Sequence, residues 1–506
     1  MVLNPERDDL CLGIIGAGTM GRGIAQIAAT AGITVLLYDS NLRSSAAAFE
    51  FIRAMLERAV AKGRMSTNDV ASALARIHCI NELAGMKSCH IVIEAILEDI
   101  AAKHALFTTL ESLVSPETIL ATNTSSLSVT AIAASCKHPE RVAGMHFFNP
   151  VPLMKLVEII EGIRTSPDIS ATLAALGRRL GREPVQLQDT PGFLVNQVGR
   201  GFTVEATHIV AEGVADFATI DRIMRDAGGF RMGPFELMDL TGLDVTYPAS
   251  QSIFEQHFYE PRYRPTGLMR LRKLAGQLGR KTGSGFYQYQ HDQPVTPAEP
   301  PCPYYDNRPV WISRDEPAGH ALLTKLAHQH GVIIDDAEQP GPESLLLVTP
   351  IGTDATTSAL AQNLDPRRTL AVDTLYGFDR RRTLMRTPAT EPAFCASAQG
   401  FLHLDGIPVS LIEDSPGFVA QRIIALIVNI GCAIAEQRVA APDAIDKAVT
   451  LGLGYPFGPL CFGDTIGAER ILQVLTSMQH LYGDPRYRPT LWLRRRAQLG
   501  LSLLQR

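Results

Sequence analysis

The sequence predicts a chain of four parts: a Rossmann-type α/β domain on a parallel sheet, an all-α domain, a shortened α/β domain, and a second copy of the all-α domain. Three observations predict it. Short apolar runs alternate with amphipathic stretches as far as position 190, a glycine-rich turn joins the first run to the first helical pattern, and strings that begin at Asp189 recur in the same order from Asp414. Alternation of this kind implies parallel strands with crossover helices.

The strand candidates of the first domain (1–190) are CLGIIG (11–16), ITVLLYD (33–39), HIVIEAI (90–96), TILAT (118–122), VAGMHFF (142–148), KLVEII (155–160) and PVQLQD (184–189). Amphipathic stretches at 42–62 and 98–114 supply helices between them. Residues 191–290 read as mostly helical, an all-α domain with candidates at 194–213, 216–227, 234–240 and 266–274 and no convincing strand. A proline-dense polar run, HDQPVTPAEPPCPYYDN (291–307), reads as a linker. Residues 308–413 return to α/β texture. Their strand candidates are VWIS, GVIID, SLLLVTP, TLAVDTL, TLMRT and PVSLIED, with helices at 320–330, 353–363 and 392–402.

Residues 414–506 repeat the first helical domain. DTPGFLVNQ at Asp189 returns as DSPGFVAQR at Asp414, MGPFELMDLTGLD at Met232 as FGPLCFGDTIGAE at Phe457, and PRYRPT at Pro261 as PRYRPT at Pro485. The three echoes keep their mutual spacing to within a single position, which marks a domain duplication. The α/β stretch 308–413 stands where a second first domain belongs, but it is about half as long and has no glycine fingerprint.

Composition narrows the function classes. Of 506 residues 46% are apolar and 20% charged, and the net charge is −5, which excludes broad disorder and a basic nucleic-acid stripe as the main theme. Eight cysteines include no CxxC pair, so structural zinc and thioredoxin-like chemistry have no support and no metal is expected. Reduced thiols point to a cytoplasmic protein. The N-terminal MVLNPERDDL lacks an apolar signal core. The apolar run IIALIVNIGCAIA (423–435) is shorter than the roughly 20 residues of a membrane helix, so it is expected to be a buried helix.

The strongest local signal is Gly16-Ala17-Gly18-Thr19-Met20-Gly21, which follows a strand and opens a helix. In a Rossmann-type unit the first glycine makes the tight turn, the second admits a pyrophosphate, and the third packs helix on strand. The helix N-terminus then offers free N–H groups to the phosphates. Asp39, at the end of the second strand, suits the adenosine ribose hydroxyls and repels a 2′-phosphate, which favours NAD over NADP.

A second constellation is Ser125 in NTSSL, His146 in GMHFFNP, Glu158 in KLVEII and Asn196 at the start of the second domain. Oxidising an alcohol needs a base, and histidine titrates near working pH. A carboxylate on its other ring nitrogen fixes the tautomer and stabilises the imidazolium, and uncharged donors hold the reacting oxygen. Singly, each residue has a plainer reading: His146 as a core histidine, Glu158 as an edge charge, Ser125 as a helix cap, Asn196 as polar surface.

At these residues the chain resembles the 3-hydroxyacyl-CoA dehydrogenase family. The strings GAGTMGRGIA, VIEAILED, NTSSLS, GMHFFNPVPLMKLVEII, DTPGFLVN, GPFELMDLTGLD and GRKTGSGFY carry the likeness across residues 11–290. The resemblance implies His146 as base, Glu158 as its carboxylate partner, and Ser125 and Asn196 as polar support. It also implies NAD contacts at Gly16, Ala17, Gly18, Thr19, Met20, Gly21, Asp39, Glu98, Lys103, Ser125 and Asn149. Lys103 reads equally well as a solvated helix face. Lys62 and Arg58 are the candidates for coenzyme A, alongside Ser125 and Asn196 for the substrate. The implied reaction is NAD-dependent oxidation of (S)-3-hydroxyacyl-CoA to 3-oxoacyl-CoA in fatty-acid or aromatic-acid (phenylacetate-type) β-oxidation, with no nucleic-acid or membrane partner.

One departure is Gln197, where many relatives have arginine. The second half resembles the extended members, whose duplicated helical domain supplies an intramolecular pseudo-dimer; a homodimer stays open. That half is expected to be catalytically dead, with Gln421 at the place of Asn196 and no HFFNP-like strand. Two other readings remain beside this one: a non-catalytic, crystallin-like protein on the same fold, and a dehydrogenase of a free hydroxy acid. The near-neutral charge leaves any attraction for an anionic CoA ester to local positive charge.

Overall fold

A computed structural model describes residues 3–505. The chain divides into two units, one running to Asn196 and including Gln437–Leu453, the other made of Gln197–Glu436 and the residues from Gly454 on.

The first unit is built on an eight-stranded sheet: β1 (Cys11–Ile15), β2 (Thr34–Tyr38), β3 (Ile77–Cys79), β4 (Ile91–Glu94), β5 (Ile119–Thr122), β6 (Val142–Phe147), β7 (Leu156–Glu161) and β8 (Glu183–Gln188). Their order is β3-β2-β1-β4-β5-β6-β7-β8. Strands such as β4 and β5 are buried along their whole length, as the near-continuous Val, Ile and Leu of a sheet covered on both faces requires. The chain reverses direction across the sheet between β1 and β4, which leaves a crevice at their carboxyl ends.

One pairing departs from the parallel expectation: β6 and β7 run antiparallel. Only residues 148–155 connect them, and a parallel return needs a crossover of a dozen or more residues. The consequence is a register in which His146 lies directly opposite Glu158.

The first unit also takes a piece of the second helical copy, which the sequence placed wholly in the last block. The helix Pro442–Leu453 packs on β7 and β8, and Gln188 N–H donates to the Val439 carbonyl at 2.9 Å.

The second unit joins both helical copies to a five-stranded sheet. The first copy contributes Phe217–Asp226, Pro234–Thr241, Leu243–Gln256, Gly267–Leu274 and all but the first two residues of Val195–Ala211. Leu243–Gln256 is absent from the expected helices because Pro248 interrupts its pattern. The second copy contributes Val419–Glu436, Pro459–Ile466, Ala468–Tyr482 and Leu491–Leu499. Val419–Glu436 is long and apolar enough to cross a membrane, but 94% of it is buried inside the protein, which makes it a core helix. Between the copies, a β-carbon on Gly201 would lie 3.1 Å from the Ile427 backbone, and the buried Arg422 guanidinium meets Glu205 at 2.7 Å.

The middle of the chain departs from expectation in two places. A hairpin of β9 (Gln288–Gln290) and β10 (Gln293–Val295) forms where no strand was expected. Its turn residues His291 and Asp292 both have positive φ, 48° and 64°. Such a two-residue turn normally announces itself with Asn-Gly or Asp-Gly. The proline-dense segment is also anchored, because Glu299 takes a two-pronged contact from Arg381 at 2.9 Å.

The second sheet holds β11 (Val310–Ile312), β12 (Leu345–Val348), β13 (Thr369–Val372), β14 (Arg382–Arg386) and β15 (Val409–Ile412), in that order. GVIID (331–335) makes only one bridge, Ile334 to Val310. Asp335 folds the chain away there by accepting from Gly341 N–H and the Ser344 hydroxyl. All pairs are parallel except β13 with β14. This is the pairing of β4 to β8 again, so the part missing from the shortened domain is the half corresponding to β1, β2 and β3.

Candidate active site

The glycine loop shows which glycines the protein needs for itself. Gly16 has φ of +99°, and a β-carbon there would sit 2.3 Å from the Ala95 carbonyl oxygen. At Gly21 it would sit 1.7 Å from the Gly16 carbonyl oxygen. At Gly18 it would meet nothing within 4 Å, so that glycine leaves open space at the N-terminus of the helix Thr19–Thr30. That helix has no side-chain cap and no acid in its first turn. Its first N–H groups therefore suit a pyrophosphate. Asp39 Oδ2 accepts from Ala17 N–H at 2.8 Å, which fixes the carboxylate beside the loop, at the end of β2. Gly16, Ala17, Gly18, Thr19, Met20, Gly21 and Asp39 thus form one cradle that fits a dinucleotide.

A second group gathers after β4 and β5. Glu98 Oε1 accepts from the Thr124 hydroxyl at 2.7 Å and from Ser125 and Ser126 N–H at 2.9 and 3.1 Å. Burial alone would push the Glu98 carboxyl up, but the Lys103 ammonium and these donors outweigh it and hold it below the usual range. Lys103 is only 1% exposed, which rules out a solvated helix face. Its ammonium lies 2.5 Å from Glu94 and 3.3 Å from Glu98. Glu94, fully buried, also accepts from Thr122 Oγ1 at 2.7 Å. Sequence reasoning passed over Glu94 inside an apolar strand; the signal was a charged residue in VIE with a lysine nine positions on.

The third group is His146 and Glu158. Their Nδ1 and Oε2 atoms are 2.7 Å apart, with His146 5% exposed and Glu158 fully buried. Glu158 Oε1 accepts from Leu194 and Val195 N–H at 3.1 and 3.0 Å, at the start of the helix Val195–Ala211. A carboxylate only accepts, so His146 carries its proton on Nδ1 and presents a lone pair on Nε2. Phe148 and Phe193 pack on the imidazole at ring-centroid distances of 4.4 and 5.8 Å. Asn123 Oδ1 accepts from Phe147 N–H, tying the ends of β5 and β6. Asn196 Nδ2 donates to the Ser125 carbonyl at 3.3 Å, so the Ser125 loop and the Glu158 anchor meet at adjacent residues, Val195 and Asn196.

A cavity of about 510 Å³ adjoins the glycine loop at Thr19 and reaches Asn149 and Leu153. Arg22, Arg58, Lys62 and Arg64 line it, with no carboxylate among the lining residues. Arg22 and Arg64 were not among the sequence candidates, because basic residues on separate turns give no motif until the helices pack.

The second sheet has no such site among the described residues. Asp373 follows β13, and Gln421 Nε2 donates to its Oδ1 at 3.0 Å. The hydrogen bonds of this pair include none from a histidine.

Fold, nucleotide cradle and the histidine–carboxylate pair define an NAD-dependent dehydrogenase. Comparison with known proteins narrows the class. The family described as "3-hydroxyacyl-CoA dehydrogenase, NAD binding domain" matches residues 11–190, and "3-hydroxyacyl-CoA dehydrogenase, C-terminal domain" matches 192–289 and again 417–502. The chain belongs to the 3-hydroxyacyl-CoA dehydrogenase family. It is 36% identical over 486 residues to 3-hydroxyadipyl-CoA dehydrogenase of Escherichia coli K12, covering 96% of this chain and 97% of that one. It is 40% identical over 278 residues to 3-hydroxybutyryl-CoA dehydrogenase of Clostridioides difficile, a match that covers 55% of this chain and 99% of that one. A crystal structure described as 3-hydroxybutyryl-CoA dehydrogenase from Escherichia coli K12 is 34% identical, with a TM-score of 0.85, over 97% of this chain and 99% of that one.

Proposed function

We propose that this chain oxidises (S)-3-hydroxyacyl-CoA thioesters to 3-oxoacyl-CoA at one site per chain, with His146 as the base. The observation that carries the reading is the 2.7 Å contact of His146 Nδ1 with a buried carboxylate, which leaves Nε2 as the acceptor for the C3 hydroxyl proton. Glu158 then faces the imidazolium and stabilises it without moving, because two backbone N–H groups hold its other oxygen. Ser125 and Asn196 supply uncharged donors for the reacting oxygen and the thioester carbonyl. NAD, when bound, supplies the two-electron acceptor, and Gly16 to Gly21, Asp39 and the Glu98 cluster with Lys103 are the residues that would hold it, with Asn149 beside them.

The four cations of the cavity suit the phosphates of coenzyme A and supply the local positive charge that a net −5 chain lacks. Lys62 and Arg58 are the contacts we assign, joined by Arg22 and Arg64. One relative that matches the chain almost end to end is named for 3-hydroxyadipyl-CoA, and from it we infer a dicarboxylic acyl group and a place in aromatic-acid or fatty-acid β-oxidation. The paired helical copies serve as an in-chain pseudo-dimer.

The test is the loss of absorbance at 340 nm with NADH and a panel of 3-oxoacyl-CoA thioesters, including acetoacetyl-CoA and 3-oxoadipyl-CoA. The parent reduces both, the dicarboxylic one with the higher kcat/KM, while free acetoacetate is inert. His146→Gln loses most of kcat and still binds NADH. Turnover by that variant at the parent's rate would overturn the assignment, and equal use of free acetoacetate would favour a hydroxy-acid dehydrogenase.

A further inference from the structure

We propose that Gly452, from the duplicated half of the chain, is a positioning residue for the His146–Glu158 pair. The inference rests on the catalytic reading above. Gly452 is the penultimate residue of the helix Pro442–Leu453, which packs on β7 and β8. A β-carbon there would lie 2.8 Å from Val195 Cγ2, 3.1 Å from Val195 Cγ1 and 3.0 Å from Leu156 Cδ2. Carbon atoms pack comfortably at about 3.5–4.0 Å, so even a methyl group must displace Val195 by roughly 0.7 Å. Valine has no long flexible arm to fold aside, so the displacement passes to its backbone.

That backbone is the anchor of the catalytic carboxylate. Val195 N–H donates to Glu158 Oε1 at 3.0 Å. Lengthening it by the same amount carries it past hydrogen-bonding range. Leu156, the other residue met, starts the strand that carries Glu158. A side chain at 452 therefore presses on both supports of Glu158.

Glycine is not demanded there by the helix. Gly452 is not among the glycines with positive φ, and alanine is the better helix former. In the register that aligns Asp414 with Asp189, the matching residue of the first copy is Ala227. Ala227 faces the loop after β13, and there the missing side chain is on the facing residue: a β-carbon on Gly377 would lie 2.2 Å from Ala227 Cα. The bare position in the second copy is thus matched to what it faces. The half that carries no catalytic histidine contributes a wall of the working site.

The experiment compares the full-length parent, Gly452→Ala, and the double variant Val195→Ala/Gly452→Ala, using NADH oxidation with saturating thioester, NADH fluorescence titration and thermal unfolding. In Gly452→Ala, kcat falls about tenfold to a hundredfold while KM and NADH affinity stay within about twofold, because only the reacting geometry moves. Removing the valine methyls gives the new β-carbon room, and the double variant recovers most of the lost kcat. A Gly452→Ala kcat equal to the parent's, or a loss that the double variant does not recover, overturns the proposal. His146→Gln run in parallel separates the two readings: if it is inactive while Gly452→Ala is unimpaired, only the positioning role falls; if it turns over like the parent, both fall.

Discussion

Replacing Glu158 by glutamine keeps the shape and removes one property, the ability to accept at both oxygens. In the parent, Oε2 accepts from His146 Nδ1 at 2.7 Å, and Oε1 accepts from Leu194 and Val195 N–H at 3.1 and 3.0 Å. A glutamine has two orientations. With its oxygen toward His146, its NH₂ faces two buried backbone donors, at a cost of about 1–3 kcal/mol for each unsatisfied group. With its NH₂ toward His146, every hydrogen bond survives, but Nδ1 must become the acceptor and the ring proton moves to Nε2. The second orientation wins, and it leaves the histidine with no lone pair for the substrate proton. An amide swap that forces the wrong tautomer costs about 10⁴ in rate in the serine-protease precedent, and a loss of about 10³–10⁴ in kcat is expected here. NADH oxidation with saturating acetoacetyl-CoA reads the loss, and NADH fluorescence shows that the cofactor still binds. A Glu158→Gln enzyme within tenfold of the parent would refute the reasoning.

Two further perturbations probe other parts of the chain. Lys62→Ala combined with Arg58→Ala removes two exposed cations of the basic cavity. At about 0.2–1 kcal/mol each, KM for a CoA thioester rises severalfold. The effect fades at high salt and is absent with the N-acetylcysteamine thioester, which lacks the nucleotide. In the second sheet, burial pushes the Asp373 carboxyl up to about 6 from an ordinary 3.8. The folded state therefore binds that proton more tightly than the unfolded chain, so stability falls as pH rises from about 4 to about 6 and then levels, by at most about 3 kcal/mol. Asp373→Asn keeps the acceptor for Leu375 N–H and Gln421 and places an amide where Oδ2 has no hydrogen-bond partner. Urea unfolding at pH 8 shows the variant more stable than the parent, with the gap closing below pH 5; a gap that does not change with pH would count against the burial argument.

The duplication, the glycine cradle and the identity of the catalytic candidates were legible because each is a matter of local order: a strand, a tight turn and a helix in succession, or a string repeated in register. The 16–21 loop takes little from distant residues: the Ala95 carbonyl excludes a side chain at Gly16, and the end of β2 supplies the acceptors for Gly16 and Ala17 N–H. Singly, however, His146 and Glu158 read as an apolar-strand histidine and an edge charge. What joined them was an antiparallel pairing forced by a connection too short to cross over, and alternation of runs carries no sign of strand direction. Lys103 read equally well as a cofactor contact and as a solvated face, because helical spacing reports which residues share a side, not what lies beneath it. The basic cavity likewise needed Arg22 to meet Arg58, Lys62 and Arg64 across separate turns.

Contacts between near neighbours in the chain specified the four-part order, the nucleotide loop and which residue types were at hand for the chemistry, so the amino-acid sequence was enough to read them. Tertiary structure alone decided that Glu158 is held by the first turn of the next domain's helix, and that a helix from the far end of the chain, Pro442–Leu453, closes over that anchor. Such arrangements come from packing between distant segments, where one methyl group too many is felt because protein interiors are filled to the density of a crystal.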